Sequence, residues 1–181
     1  MRPADYYLVV DLEATCCDLG GVPRHESEII EIGAVLVDGK SLRAIAEQTL
    51  FVRPLLHPIS PFCTRLTTIT QDMVDDALEF PAAAARLAAF GGGALFCSWG
   101  AYDRNQLAAD AARHSIEPPL GPEHCNLKVE FTHALGGRRA YGNQSALARC
   151  GLEPQGTHHR GIDDARNIAR LLPYILGRVP I

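Results

Sequence analysis

The chain has 181 residues, 47% of them hydrophobic and 21% charged, which suits a globular core of ordinary size and excludes a disordered chain. No apolar run approaches the ~20 residues that cross a bilayer, the opening Met1-Arg2-Pro3-Ala4-Asp5 has no signal-peptide anatomy, and six cysteines without a C-x-x-C pair lack zinc-ligand spacing, so a cytoplasmic protein with reduced thiols is expected. The formal net charge of -4 argues against broad non-specific duplex binding but leaves room for a nucleic-acid enzyme, because bound divalent ions reverse the local sign of an acidic site.

In chain order, residues 6–12 read as a buried strand, 29–37 as a second and 43–53 as a third. Asp38-Gly39-Lys40 between the last two is a hairpin-turn signal. Pro54, Pro58 and Pro61 mark an irregular stretch, after which short helices are predicted near 61–66 and 70–77, with Thr70 as an N-cap candidate. An alanine-rich helix over 82–90 stops at Gly91-Gly92-Gly93, and 94–98 is a short buried strand. A helix over 103–114, a strand near 124–127, and helices near 128–135 and 144–150 follow. The last helix starts at about 162, with Ala165, Ile168, Ala169, Leu172, Ile175 and Leu176 as one apolar stripe and Pro173 set to kink or loosen its final turns. A three-stranded meander continued by α/β crossovers describes one α/β domain over residues 1–181, a mixed sheet flanked by helices.

Asp11 and Glu13 stand at i and i+2 in the first strand, so both carboxylates emerge on one face of an otherwise apolar element. Two such acids are costly unless a cation or water compensates them. Asp103 follows the short strand at a helix opening, where sites of α/β sheets gather. An N-cap role is its alternative, and Asp163 and Asp164 have the same alternative at the last helix. Asp164 borders the apolar stripe and is the better inward ligand of that pair, whereas Asp163 should lean to solvent. His159 is a candidate general base, since an imidazole accepts a proton near neutrality, and His158 reads as a solvated or hydrogen-bonded loop residue. Four acids and a histidine, each at a strand end or helix start, fit metal-assisted phosphodiester cleavage.

Asp11-Leu12-Glu13-Ala14-Thr15-Cys16, then Asp103, then His159-Arg160-Gly161-Ile162-Asp163-Asp164-Ala165 resembles the DnaQ-like 3′–5′ exonucleases of DEDDh type. Leu66-Thr67-Thr68-Ile69-Thr70-Gln71, Asn126-Leu127-Lys128 and the Gly156-Thr157 lead into the last motif resemble the branch of Eri-type histone-mRNA 3′ exonucleases and KapD-like proteins. Thr68 departs from that pattern, which has glycine there. The resemblance implies an RNase H-like five-stranded mixed sheet. It also implies that Asp11, Glu13, Asp103 and Asp164 hold two Mg²⁺ or Mn²⁺ ions about 3.5–4 Å apart. His159 would take the proton of the attacking water, and nucleoside 5′-monophosphates would leave singly from a single-stranded 3′ end, RNA in preference to DNA. Ala14 and Thr15 would offer backbone groups to the terminal sugar, and Leu66 and Ile69, with Thr67 beside them, would wedge against the terminal base, with a plain core role the equal alternative for Ile69. Lys128, Arg138, Arg139 and Arg160 are the candidate phosphate contacts. A DNA exonuclease on the same fold and a regulatory binder without turnover are the competing readings.

Overall fold

The structure, a computed structural model, describes residues 1–18 and 20–181. Five strands, β1 (Tyr6–Ala14), β2 (Ile29–Asp38), β3 (Ala44–Phe51), β4 (Leu95–Ser98) and β5 (His124–Asn126), form one mixed sheet in the order β3-β2-β1-β4-β5. The first three make the antiparallel meander, and β4 and β5 join parallel to β1. The near-continuous apolar runs of β1 and β2 reflect burial on both faces. Most of β3 is exposed, as its position at the sheet edge allows.

Side-chain alternation sorts the core into two layers. Tyr7, Val9, Val35, Val37 and Cys97 pack under α5 (Leu127–Ala134), α6 (Asn143–Arg149), α7 (Gly161–Ala169) and α8 (Leu172–Ile175). Leu8, Val10, Leu12, Ile32, Ala34 and Phe96 pack under α3 (Phe80–Gly91) and α4 (Tyr102–Arg113). Asp11 and Glu13 continue the odd-numbered row of β1, so their side chains emerge on the layer that contains α7. The β1–β4 pairing ends at Val9 opposite Cys97, and the last residues of β1 run on past β4. A cleft thus opens at the carboxyl end of the parallel strands.

Two glycines fix how closely α7 approaches the sheet. A Cβ on Gly33, in the middle of β2, would lie 2.0 Å from the carbonyl carbon of Gly161, and one on Gly161 would lie 2.9 Å from the Asp11 carbonyl oxygen. Only bare backbone fits between strand and helix at this crossing. At the other end of α7, the predicted single helix is two. It stops at Ala169, because Pro173 has no N–H for the Ala169 carbonyl and its ring would clash there, and α8 restarts with the proline in its first turn.

The short helices α1 (Pro61–Thr67) and α2 (Gln71–Asp75) lie beside the meander around a small cluster of Ile30, Cys63, Ile69 and Val74. Ser60 caps α1 through the Cys63 N–H, and its hydroxyl donates to the Cys16 carbonyl, tying α1 to the chain leaving β1. Thr70 begins α2 without a side-chain cap hydrogen bond. Thr68 ends α1 at φ +64°, a left-handed position that suits glycine, which explains why its pattern carries glycine there.

Candidate active site

Asp11, Glu13 and Asp164 bring their carboxylate oxygens within 4.8 Å of one another. Asp11 and Glu13 come from the overhanging end of β1 and Asp164 from the first turn of α7. Asp103 approaches from the first turn of α4, where Ala101 is the N-cap, and its Oδ1 accepts the Leu12 N–H at 3.1 Å. That carboxylate supplies the acceptor that β4, ending short, does not give to β1. Asp163 faces elsewhere: it accepts the Thr157 N–H at 2.9 Å and pairs with Arg166 at 2.8 Å. The cluster opens onto a cavity of about 330 Å³ that Cys16, Leu66, Trp99, Tyr102, Asn143, His158 and His159 also line.

The electrostatics are those of charge withdrawn from water without a counter-ion. Burial, then the nearby Asp103, Asp164, Glu13 and Glu31, holds the Asp11 carboxyl well above the usual carboxylate range. Burial followed by Asp164 and Glu31 pushes Glu13 up to about 8. Burial raises Asp103 to about 6, less far because its own backbone N–H, Ser98 and the Leu12 N–H favour the charged form. Converging hard oxygen donors that resist ionisation alone fit a divalent cation of the Mg²⁺ or Mn²⁺ kind.

The loop before α7 carries the histidines. Glu31, fully buried on β2 and in register with Glu13, accepts the Gly161 N–H at 3.0 Å and holds Arg160 through two contacts of 3.0 and 3.2 Å. It thereby caps α7 and anchors the loop at once. His159 has φ +61°, and its backbone N–H donates to Asp164 at 2.9 Å, orienting that carboxylate. No protein group among the described residues hydrogen-bonds the His159 imidazole, and burial and then His158 lower its pKa, favouring the neutral ring. His158 is engaged: its Nδ1 lies 3.2 Å from each oxygen of Asp164. Asn143 donates to the same carboxylate at 3.3 Å.

Several residues assigned to substrate by sequence have other work. Ile69 is fully buried in the small cluster and offers no surface to a base. Thr67, also fully buried, donates to the Cys63 carbonyl and accepts the Ile69 N–H. Thr15 is buried, its N–H donates to the Glu28 carbonyl and its carbonyl accepts the Ser27 hydroxyl, so its N–H is not left for a sugar. Arg160 is committed to Glu31 and stacks over Phe51, which removes it as a phosphate contact. Ala14 and the exposed edge of Leu66 do border the cavity. Lys128 is half-buried on α5 and outside the cavity lining. Arg138 and Arg139 are exposed in the loop leading to Tyr141, whose carbonyl accepts the Trp99 indole N–H at 3.1 Å.

Glu31 was open to the reasoning that found Asp11, being an acid inside an apolar strand, but its partner Arg160 lies 129 residues away and leaves no local trace. Trp99 and Tyr102 flank Asp103 closely enough in sequence to have been included with it. Asn143 carries no signal of its own.

A mixed β3-β2-β1-β4-β5 sheet with carboxylates converging at the carboxyl end of its central strands defines an RNase H-like fold with an acidic centre. The chain belongs to the exonuclease family of RNase T, which matches residues 8–172. Within that family its relatives are of the DEDDh Eri type. The mouse ERI1 exoribonuclease 3 is 29% identical over 180 residues, covering 92% of this chain and 52% of that protein. The nuclease domain of 3′hExo, a DEDDh family member bound to rAMP, superposes with a TM-score of 0.89 at 28% identity, covering 96% of this chain and 92% of that one. A 3′-exonuclease structure described as recognising the 3′ end of the histone mRNA stem-loop gives 0.87 at 27%, covering 96% and 64%. The chain spans about half the length of the curated relatives it matches, such as 52% of the mouse protein. The family is divalent-metal dependent, which agrees with the donor set found here.

Proposed function

We propose that the protein is a metal-dependent 3′–5′ exonuclease that releases nucleoside 5′-monophosphates from the 3′ end of single-stranded RNA. The observation that carries this reading is the convergence of Asp11, Glu13 and Asp164 within 4.8 Å, with Asp103 fastened to the Leu12 N–H between the two strand acids. Two Mg²⁺ or Mn²⁺ ions shared among these four acids are the cofactors. When bound, such ions neutralise the phosphate and make water a better nucleophile at neutral pH.

The chain's own residues do the rest. Asp11, Glu13, Asp103 and Asp164 hold the cation site rigidly, since they come from a strand and two helices rather than from loops. His159, with no hydrogen bond to its imidazole among the described residues and favoured in the neutral form, accepts the proton of the attacking water. Leu66 and Ala14 border the cavity where a terminal nucleoside would sit, and apolar contact there reads no base edge. Arg138 and Arg139 place positive charge on the loop tied to Trp99, where a backbone phosphate could be met. The RNA preference draws support from the exoribonuclease names of the relatives and from the rAMP bound to 3′hExo.

The test is product identity. Incubation of a short single-stranded RNA with Mg²⁺ should yield nucleoside 5′-monophosphates by chromatography, and a chelator should stop their release. Nucleoside 3′-monophosphates, or release that persists in the chelator, would contradict the proposal.

A further inference from the structure

Asp164 belongs to two donor sets. One is the carboxylate triad with Asp11 and Glu13. The other joins it to His158 and His159, again with ligand atoms all within 4.8 Å of one another. The sets differ in chemistry. Three carboxylates are hard oxygen donors suited to Mg²⁺ or Mn²⁺, whereas two imidazoles and one carboxylate suit borderline ions, Zn²⁺ above all among those that favour tetrahedral geometry.

The second set is presented by a fixed turn. Arg160, the next residue, is anchored to the buried Glu31, and the Arg160 N–H donates to the Thr157 carbonyl. His159 is held in left-handed backbone, with its N–H on Asp164. The two imidazoles lie against each other with ring centres 3.9 Å apart and planes tilted by 33°, and His158 Nδ1 already points at both Asp164 oxygens from 3.2 Å. An ion with bonds of about 2.0–2.2 Å to each donor would take the place of that hydrogen bond. The His158 side chain is 44% exposed, so it is reachable from solvent and can rotate to close the set.

We propose that His158, His159 and Asp164 form a second, overlapping Zn²⁺-type site at the mouth of the cavity, whose occupation turns the enzyme off. Ion binding there withdraws Asp164 from the carboxylate centre and covers the His159 nitrogen that would accept the water proton. Binding at this site does not depend on the nuclease reading. The inhibition does rest on that reading.

Calorimetry with Zn²⁺ and visible absorption with Co²⁺ on the wild-type protein and on H158Q test it. Wild type should bind Zn²⁺ more tightly than H158Q by at least about tenfold, the scale that even an outer-shell partner's loss carries. Mn²⁺ affinity should be equal in the two, and the Co²⁺ spectrum should be that of nitrogen and oxygen ligands. H158A serves as a second variant, and circular dichroism checks that each is folded. Equal Zn²⁺ affinity in wild type and both variants, or a thiolate-to-cobalt charge-transfer band, would overturn the site. In excess Mg²⁺, with each protein referred to its own Zn²⁺-free rate, Zn²⁺ should inhibit wild type at least about tenfold more potently than H158Q. Equal inhibition of the two would overturn the switch. Tighter Zn²⁺ binding in a wild type that cleaves no RNA under any metal would uphold the site and refute the nuclease reading instead.

Discussion

Asp11, Glu13 and Asp164 illustrate how single residues reveal a site by being badly placed for stability. Each is an acid among apolar neighbours, and the raised pKa of Asp11 and Glu13 records the cost of burying like charges together. Asp164 and Asp163 are adjacent in sequence yet opposite in environment, one 6% exposed in the cluster and the other paired with Arg166 outside it. Asp164→Ala is therefore expected to abolish nuclease activity with the fold retained. Asp163→Ala should keep most activity while losing about 1 kcal/mol from its contacts to Thr157 and Arg166. Purified variants compared on labelled RNA and by thermal melting check both, and the reverse ranking of activities would contradict the assignment. Residues with a local pattern were legible from sequence: Asp11, Glu13, Asp103, Asp164 and His159 all border the cavity. Arg160 was misassigned because its partner, the carboxylate of Glu31, is set by a tertiary contact that no spacing reveals, and Ile69 takes the core role that stood evenly against a base contact.

Among the elements, α7 decides whether the site exists, because it carries Asp164 to Asp11 and Glu13. Its approach depends on the Gly33–Gly161 crossing, where an added Cβ meets backbone at 2.0 Å and nothing flexible can yield. Gly33→Ala should cost about 1–3 kcal/mol or more from overpacking. It should also lower turnover by roughly 100-fold, the effect of displacing a reacting group by about 1 Å. Denaturant melts and steady-state rates on the same sample check this, and an unchanged rate would show that the crossing does not set the position of Asp164. The meander, the β/α order and the apolar stripe of the last helix could be read from sequence, since period and turn residues are local. The close crossing could not, because a glycine inside a strand says only that something approaches, and not what. The break between α7 and α8 was visible in Pro173 as a loosening, and the structure makes it a full stop.

For the molecule as a whole, the cation site implies a pH dependence whose sign follows from linkage. Glu13 at about 8 and Asp103 at about 6 both lie above their ordinary values of 4.5 and 3.8, so the metal-free folded state binds more protons than the unfolded one between these limits. Their destabilising effect is absent below about pH 4 and grows as pH rises towards about 8. The metal-free protein should accordingly melt at a higher temperature near pH 5 than near pH 8, with Glu13→Gln flattening the difference. Added Mn²⁺ should raise the melting temperature more near pH 8 than near pH 5, since it binds the deprotonated acids. Calorimetric scans with and without Mn²⁺ check both, and an Mn²⁺ effect independent of pH would place the ion elsewhere.

The central claim is that this fold places its acids at a cavity built for a free 3′ end. The most direct measurement follows 5′-labelled single-stranded RNA with either a 3′-hydroxyl or a 3′-phosphate, beside a circular RNA of the same sequence. The account predicts a descending ladder from the 3′-hydroxyl RNA, slowed cleavage of the 3′-phosphate form and an intact circle. Cleavage of the circle, or equal degradation of both linear forms, would show an endonuclease and contradict it.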